Sequence, residues 1–459
     1  MSSLSSAIIY NDSKIHKITV VVVGSGLAGL SAASQLISKG VAVHMLERFP
    51  KPGGNSIKAS SGINGASTKF QPGPPLSDRA FYSDTVKSCG TVFTQPQYHK
   101  RREDLVSVLV NDSASAIEWL SNSVSEGGRG VDLSVVAQLG GHSFPRTHRG
   151  AGTTPPGASL VFTLLGQLKE SPLFTLETHC VVTKVMKNWK EHVGRIEGVK
   201  YTCSTPSTTN PYSTVEEEEK ELHGPVIFAT GGFAGDSKGM LAHYRPDLAG
   251  FPSTNAPRPG SQDLLTAVGA QLLDMEYVQI HPTSFVDPAD PKSPVKFLAA
   301  ELLRGEGGIL LHNGKRFVNE MEMRKRVTEA ITSLPAEEEE VRQWDVQLVI
   351  DEGVYENANS HVDFYLWKKL MRKTTIAELY PDSKLIETTL ETFSKYSASV
   401  SGLHADSLKR SSYGHWKLVA PKRDSVVYVG RVTPAIHFTM GGVIIDSDAS
   451  VLDAVSYSS

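Results

Sequence analysis

The run from Lys17 to Glu47 constrains the fold more than any other stretch of the chain. Its opening, KITVVVV at residues 17–23, is apolar and β-branched, as a strand covered on both faces of a parallel sheet must be. Gly24-Ser25-Gly26-Leu27-Ala28-Gly29 follows at once, and Leu30, Ala33, Leu36 and Ile37 then recur at helical spacing until Gly40 stops the helix. A second strand, Val41–Leu46, ends at Glu47, with Arg48 beyond it. These parts make a βαβ unit able to hold a dinucleotide. The glycines admit backbone close to a pyrophosphate, the helix N-terminus offers N–H donors and the positive end of a dipole, and Glu47 can accept from ribose hydroxyls. A bare GxGxxG would say little; here strand, helix and acid flank it where the mechanism requires.

Two further tracts extend this reading. Lys51-Pro52-Gly53-Gly54-Asn55-Ser56 and Ala59-Ser60-Ser61-Gly62-Ile63-Asn64-Gly65 are richer in glycine and hydroxyls than an NAD domain needs, and Val226–Gly232 reads as a buried strand ending in the turn Ala229-Thr230-Gly231-Gly232. Between them, Asp104–Leu120 is predicted helical, with Leu105, Val108, Leu109, Ile117 and Leu120 as its apolar positions. The polar loop Ser143–Arg149 offers His148 as a ligand-facing candidate, and Cys180–Val185 reads as a strand. Thr202–Glu221 is polar and acidic without apolar period, a solvated loop of a β meander; Glu337–Glu340 is read the same way, and neither run is read as a metal site.

Composition excludes several classes. The 459 residues are too many for one ordinary core and suggest two domains. A net charge of −3, from 46 basic and 49 acidic residues, with no basic run interleaved with aromatics, gives no pointer to nucleic acid. No apolar run approaches the roughly 20 residues that span a bilayer. Cys89, Cys180 and Cys203 form no CxxC pair and read as ordinary thiols of a reducing compartment. The Ser-rich lead-in MSSLSSAIIYNDSKIHK lacks Arg and carries Asp12, which favours a cytoplasmic over a mitochondrial address.

The segment from Gln279 to Arg326 carries the chemistry. It gathers His281, Glu301, Arg304 and Arg324 among apolar runs and glycines, and the spacing of Glu301 and Arg304 puts both on one face of a helical turn. Such side chains can hold a small carboxylate and relay a proton. The order HPT, AExLRGxGG, GxRFVNE and an Arg four residues on resembles the substrate domain of soluble, FAD-dependent fumarate reductases. Thr433–Gly442 is similar to the HxTMGG turn by which that family returns to its flavin domain.

The resemblance implies an α/β fold: a Rossmann-like FAD-binding domain with an inserted α+β capping domain. The FAD domain would occupy 1–275, the substrate domain 276–437, and the return 438–459. It implies that His281 and His437 bind substrate carboxylates and that Arg324 delivers a proton supplied through Glu301 and Arg304. Non-covalent FAD would be held by Gly24, Ser25, Gly26, Ala28, Gly29, Glu47, Arg48, Gly54, Asn55, Ser56, Ser61, Gly62, Ile63, Asn64, Val182, Ala229, Thr230 and Gly231. The substrate would be fumarate, giving succinate, and the electron donor a diffusible reductant such as NADH or reduced flavin. Three departures stand against the pattern. After Gly442 the chain runs VIIDSDASVLDAVSYSS, where the family continues with a strand and a helix facing the flavin; Pro259-Gly260-Ser261 replaces a GDG-like turn; and Lys325 stands where an aspartate is usual. The alternatives are a truncated, catalytically impaired flavin-binding relative and an enzyme reducing another 2-enoate.

Overall fold

The structure, a computed structural model, describes residues 18–73, 78–125, 131–152, 154–188, 194–204, 217–338 and 340–453. It forms two compact units, one of residues 1–54 and 164–230, the other of 55–163 and 231–459.

In the first unit a parallel sheet has the order Val226–Phe228, Thr19–Val23, Ala42–Leu46, Phe174–Glu177. Val21 and Val22 are wholly buried in its middle, which is what an unbroken valine run in a parallel sheet demands. The helix Leu27–Ser38 packs tightly onto the turn before it: a Cβ on Gly29 would sit 2.0 Å from the carbonyl oxygen of Gly24, so only glycine fits. An antiparallel meander, Cys180–Asn188, Arg195–Ser204 and Glu217–His223, completes the unit.

That meander corrects two expectations. Thr202–Ser204 and Glu217–Glu221, read as loop, are strand, because alternate acidic side chains can face water while the backbone completes its ladder; residues 205–216 lie outside the described residues. Cys180 and Cys203, read as separate thiols, are opposite partners in the antiparallel pair, with Cα atoms 4.3 Å apart, and are joined as a disulfide. Sequence spacing could not show that the hairpin brings them face to face. The pairing removes cysteine usage as an argument for a reducing compartment; Cys89 is free and exposed.

In the second unit the body is an antiparallel sheet in the order Phe297–Leu298, Val278–Phe285, Val426–Thr439, Val346–Ile350, Ile309–His312, Lys315–Arg316, with Arg372–Thr375 also paired to the long strand Val426–Thr439. Phe285, Leu310, Leu348, Ile350 and Val427 are buried in its core with Val354 and Phe393 from helices Glu352–Asn357 and Ser383–Val400. Glu337 and Glu338, read as loop, lie in the short strand Ala336–Glu338. The predicted helix 104–120 extends over His99–Ser125; Ile117 and Leu120 are buried, but Val108 and Leu109 are exposed, so the apolar stripe is narrower than the pattern suggested. Tyr365–Trp367 forms the last turn of the helix Asn359–Trp367. Among the described residues no helix is long and apolar enough to cross a membrane.

Candidate active site

In the first unit, the helix that starts at Leu27 has no side-chain cap and no acidic residue in its first turn. Gly26 and Gly54 face each other: a Cβ on Gly54 would lie 3.6 Å from the Gly26 Cα. The two glycine loops thus bring bare backbone together around that helix start, with Ala28 exposed beside it. Glu47 is buried behind them. Its Oε2 accepts from the Ser25 N–H at 3.1 Å and from the Ser25 hydroxyl, and its Oε1 accepts from the Phe49 N–H at 2.8 Å. Ser25 Oγ in turn accepts from the Gly53 N–H at 3.0 Å, so the acid, the first turn and the second glycine tract are tied into one piece. Arg48 follows Glu47. Ala229 donates its N–H to the Val23 carbonyl at 2.8 Å, which sets Ala229 and Thr230 beside the end of the first strand. Val182 is buried in the meander opposite Tyr201. A backbone-lined cradle at an uncapped helix start fits a dinucleotide pyrophosphate.

Glu177, Cys180 and Cys203 lie together in this unit, and Glu177 Oε1 meets His44 Nε2 at 2.5 Å. With the two sulfurs bonded to each other, the group has no thiolate to offer a metal.

In the second unit, Ser56 opens the short turn Ser56–Lys58 and Asn55 donates to the Asn255 side chain. Ser61 and Gly62 lead into Ile63–Asn64, which pairs with Thr147–His148; Asn64 Oδ1 accepts from the Thr147 hydroxyl at 2.7 Å. Gly231 lies beside the Arg258 guanidinium. His148 is wholly buried, with Nε2 against the Thr68 hydroxyl at 2.6 Å and Nδ1 against the Arg146 carbonyl at 2.9 Å. Both ring nitrogens are engaged by protein, so His148 is a structural residue and not the ligand-facing one the loop suggested. Arg146 is likewise buried between Asp78 and Asp84.

The residues of the 279–326 segment converge. His281 sits on Val278–Phe285 and His437 near the end of Val426–Thr439. Gln279 is opposite Phe438 and Ile280 is opposite Ile436, which leaves His437 as the extra residue of a β-bulge, the device that re-aims a side chain. The two imidazoles are 5.5 Å apart, centre to centre. Arg324 is the first residue of helix Arg324–Thr332, where the helix dipole disfavours a cation. Glu301 offsets this: its Oε2 accepts from Arg324 Nε at 3.0 Å and Nη2 at 2.5 Å, while its Oε1 accepts from Arg304 Nη2 at 3.2 Å. Gln279 Oε1 accepts from Arg324 Nη1 at 2.5 Å. Lys325, in place of the usual aspartate, points away and pairs loosely with Glu329, so Glu301 is the carboxylate that Arg324 meets.

Electrostatics follow from this geometry. Burial, then the charges of Arg324 and Arg304, hold the His281 pKa well below its ordinary value; burial, then Arg324, lowers that of His437 to about 4. Burial pushes Glu301 up, but the two arginines and the Arg324 hydrogen bonds outweigh it and hold the carboxyl below its usual range. Burial lowers Arg304, against the opposing pull of Glu301. His281 Nδ1 lies 2.9 Å from the Thr283 carbonyl and 3.3 Å from the Thr283 N–H, so either tautomer finds a backbone partner there, and Nε2 is buried with no protein partner.

Sequence reading missed the supports. Asn255 donates to the His437 carbonyl at 2.7 Å, and nothing in its surroundings in the chain marks it. Arg304 Nη1 donates to the Glu320 carbonyl at 2.7 Å, and Arg410, with no exposed side chain, donates to the Arg304 carbonyl at 2.7 Å and to Glu320 Oε2 at 3.0 Å. Glu320 was visible only as the last letter of GxRFVNE; Arg410 lies outside every motif.

A Rossmann-type cradle in one unit and a His, Arg and Glu cluster in the other define a flavin-dependent oxidoreductase. The family described as FAD binding domain matches residues 19–456. Fumarate reductase 1 of Saccharomyces cerevisiae is 39% identical over 459 aligned positions, covering 94% of this chain and 88% of that protein. The fumarate reductase of Schizosaccharomyces pombe is 32% identical, covering 98% and 83%. The open conformation of a flavocytochrome c3 fumarate reductase superposes with a TM-score of 0.68 at 26% identity, over 96% of this chain and 70% of that one. The chain belongs to the fumarate reductase family of FAD-dependent enzymes.

Proposed function

We propose that this chain reduces fumarate to succinate. The observation that carries the reading is the buried, partnerless Nε2 of His281, facing His437 beside a guanidinium already linked to a buried carboxylate and a second arginine. A dicarboxylate presents two anionic ends to such a site, which a ketone would not. Reduced FAD, held without a covalent bond by the residues of the glycine tracts named above, supplies a hydride when bound. His281 and His437 bind the carboxylates and draw charge off the double bond. Arg324 donates a proton to the neighbouring carbon, and Glu301 with Arg304 restores it. An arginine is a weak acid in water, and the role is workable when a relay through the adjacent carboxyl group re-protonates it at once. The FAD-binding part is taken as 1–275 and 438–459 and the capping part as 276–437, which contains most of the antiparallel sheet of the second unit. The electron donor is a diffusible reductant such as NADH or reduced flavin, and the location cytoplasmic, to be checked by fractionation.

The test is anaerobic reoxidation of the reduced, FAD-loaded protein. Fumarate should reoxidise it faster than mono-acid enoates; faster reoxidation by another 2-enoate would replace fumarate as the substrate.

A pH dependence follows. At neutral pH both histidines are neutral in the free protein, and carboxylates brought against them favour their protonated forms. Binding therefore takes up protons. Between the free and bound pKa values, affinity for succinate should fall as pH rises, by up to about tenfold per pH unit for each histidine protonated. Calorimetry in buffers of different ionisation heat reads the proton count; no uptake at neutral pH would remove the histidines from this role.

A further inference from the structure

Each turnover of the proposed reaction consumes one proton, and the groups that deliver it are shielded: Arg304 is 2% exposed and the Glu301 side chain 14%. Beyond Arg324, the donor itself and 28% exposed, the relay needs a group that passes protons from water to Glu301. The loop after strand Val135–Ala137 lies directly on Glu301, since a Cβ at Gly140 would stand 3.2 Å from Glu301 Oε1. Two residues on is His142, half-buried.

The loop is braced from several sides. His142 donates its N–H to the Leu139 carbonyl at 3.1 Å and its own carbonyl accepts from Gln138 Nε2 at 2.6 Å. Ser143 donates to Asp84 through its N–H at 2.8 Å and its hydroxyl at 2.7 Å. The His142 ring accepts from the Leu139 N–H through Nδ1 at 3.5 Å, which leaves the proton of the neutral ring on Nε2. The charged groups that act on it are Arg146, which opposes its positive charge, and Asp84, Glu301 and Asp78, which favour it. The coupling is mutual, for a charged His142 helps to stabilise the Glu301 carboxylate.

We propose that His142 feeds protons to Glu301 from solvent, a positioning residue that acts through that carboxylate; the inference rests on the fumarate-reducing reading above. When Arg324 has given its proton to the substrate carbon, it regains one from protonated Glu301. Glu301 regains its proton from the His142 imidazolium, and His142 takes one from water. One proton enters for each hydride transferred, and only N–H and O–H bonds are made and broken on these residues. Burial, then Arg146, lower the pKa of His142, so the charged ring is already the minority form at neutral pH and the supply slows further as pH rises.

The experiment compares full-length, FAD-loaded parent with His142→Ala and His142→Gln. Fumarate turnover is followed with a reduced dye in light and heavy water, across pH, with and without added imidazole; FAD content and succinate binding serve as controls. The expected result is a kcat lowered about tenfold below neutral pH in both variants, with the difference from the parent shrinking as pH rises, a larger solvent isotope effect, and recovery by imidazole in His142→Ala alone. Parental kcat and isotope effect in both variants would overturn the inference. So would a loss that leaves the isotope effect unchanged and does not respond to imidazole, which is what a purely structural role predicts. A parent that fumarate does not reoxidise overturns the functional reading and this inference together, whereas an active parent with unaffected variants overturns this inference alone.

Discussion

Arg324→Ala should lower the rate of fumarate reduction by about a thousand- to ten-thousand-fold while FAD stays bound. The side chain is 28% exposed and starts a helix whose dipole disfavours it, so its removal costs the fold little. Glu301 keeps its second partner, Arg304, and is not left as a bare buried charge. What is lost is the group that meets both Glu301 and Gln279 and stands near the two histidines. Arg324→Lys should recover little, because an ammonium cannot keep the two-point contact with Glu301 while reaching Gln279. Single-turnover reoxidation of the reduced protein by fumarate reads the step directly. A residual rate above about a tenth of the parent's would remove Arg324 as the proton donor.

Glu320→Ala should destabilise the protein by about 3–5 kcal/mol. Its four acceptor sites are filled: Oε1 accepts from the Leu310 N–H and Arg316 Nε, at 3.1 and 2.9 Å, and Oε2 from Arg316 Nη2 and Arg410 Nη1, at 2.8 and 3.0 Å. Neither Glu320 nor Arg410 has any exposed side chain, and Arg316 is 7% exposed. Without the carboxylate, Arg316 retains Asp406 but Arg410 has no remaining ion-pair partner among the described residues. The shift should appear as a lower urea midpoint with an unchanged slope. An unchanged midpoint would show that solvent or repacking compensates for the buried charge. Because Glu320 also accepts from Arg304 through its carbonyl, Glu320→Gln at temperatures where it stays folded should affect turnover less than stability.

How much of this was legible in the sequence depends on how local each signal is. The unit Thr19–Leu46 could be read almost residue by residue, because valines, glycines and the acid at Glu47 are each fixed by neighbours close in the chain. The cluster of Glu301, Arg304 and Arg324 was legible because its members share one segment, and Glu301 and Arg304 one turn. Cys180 and Cys203 were misread because their meeting depends on a hairpin register that polar spacing does not reveal. Asp84 and Asn255 were invisible for the same reason, each holding a residue placed opposite by topology. His148 was overvalued since polar density in a loop does not tell a ligand from a buried brace.

The strand Val426–Thr439 also sets the order of assembly. It pairs with Val278–Phe285, Val346–Ile350 and Arg372–Thr375, and every one of these precedes it in the chain. During synthesis the earlier strands wait without their shared neighbour until residues near 439 have emerged, so the His281–His437 pair closes a loop spanning nearly half of the second unit. Nascent chains stalled before Val426 should therefore bind a protease or a hydrophobic dye far more readily than those stalled beyond Thr439, and equal susceptibility would show that the sheet is completed some other way.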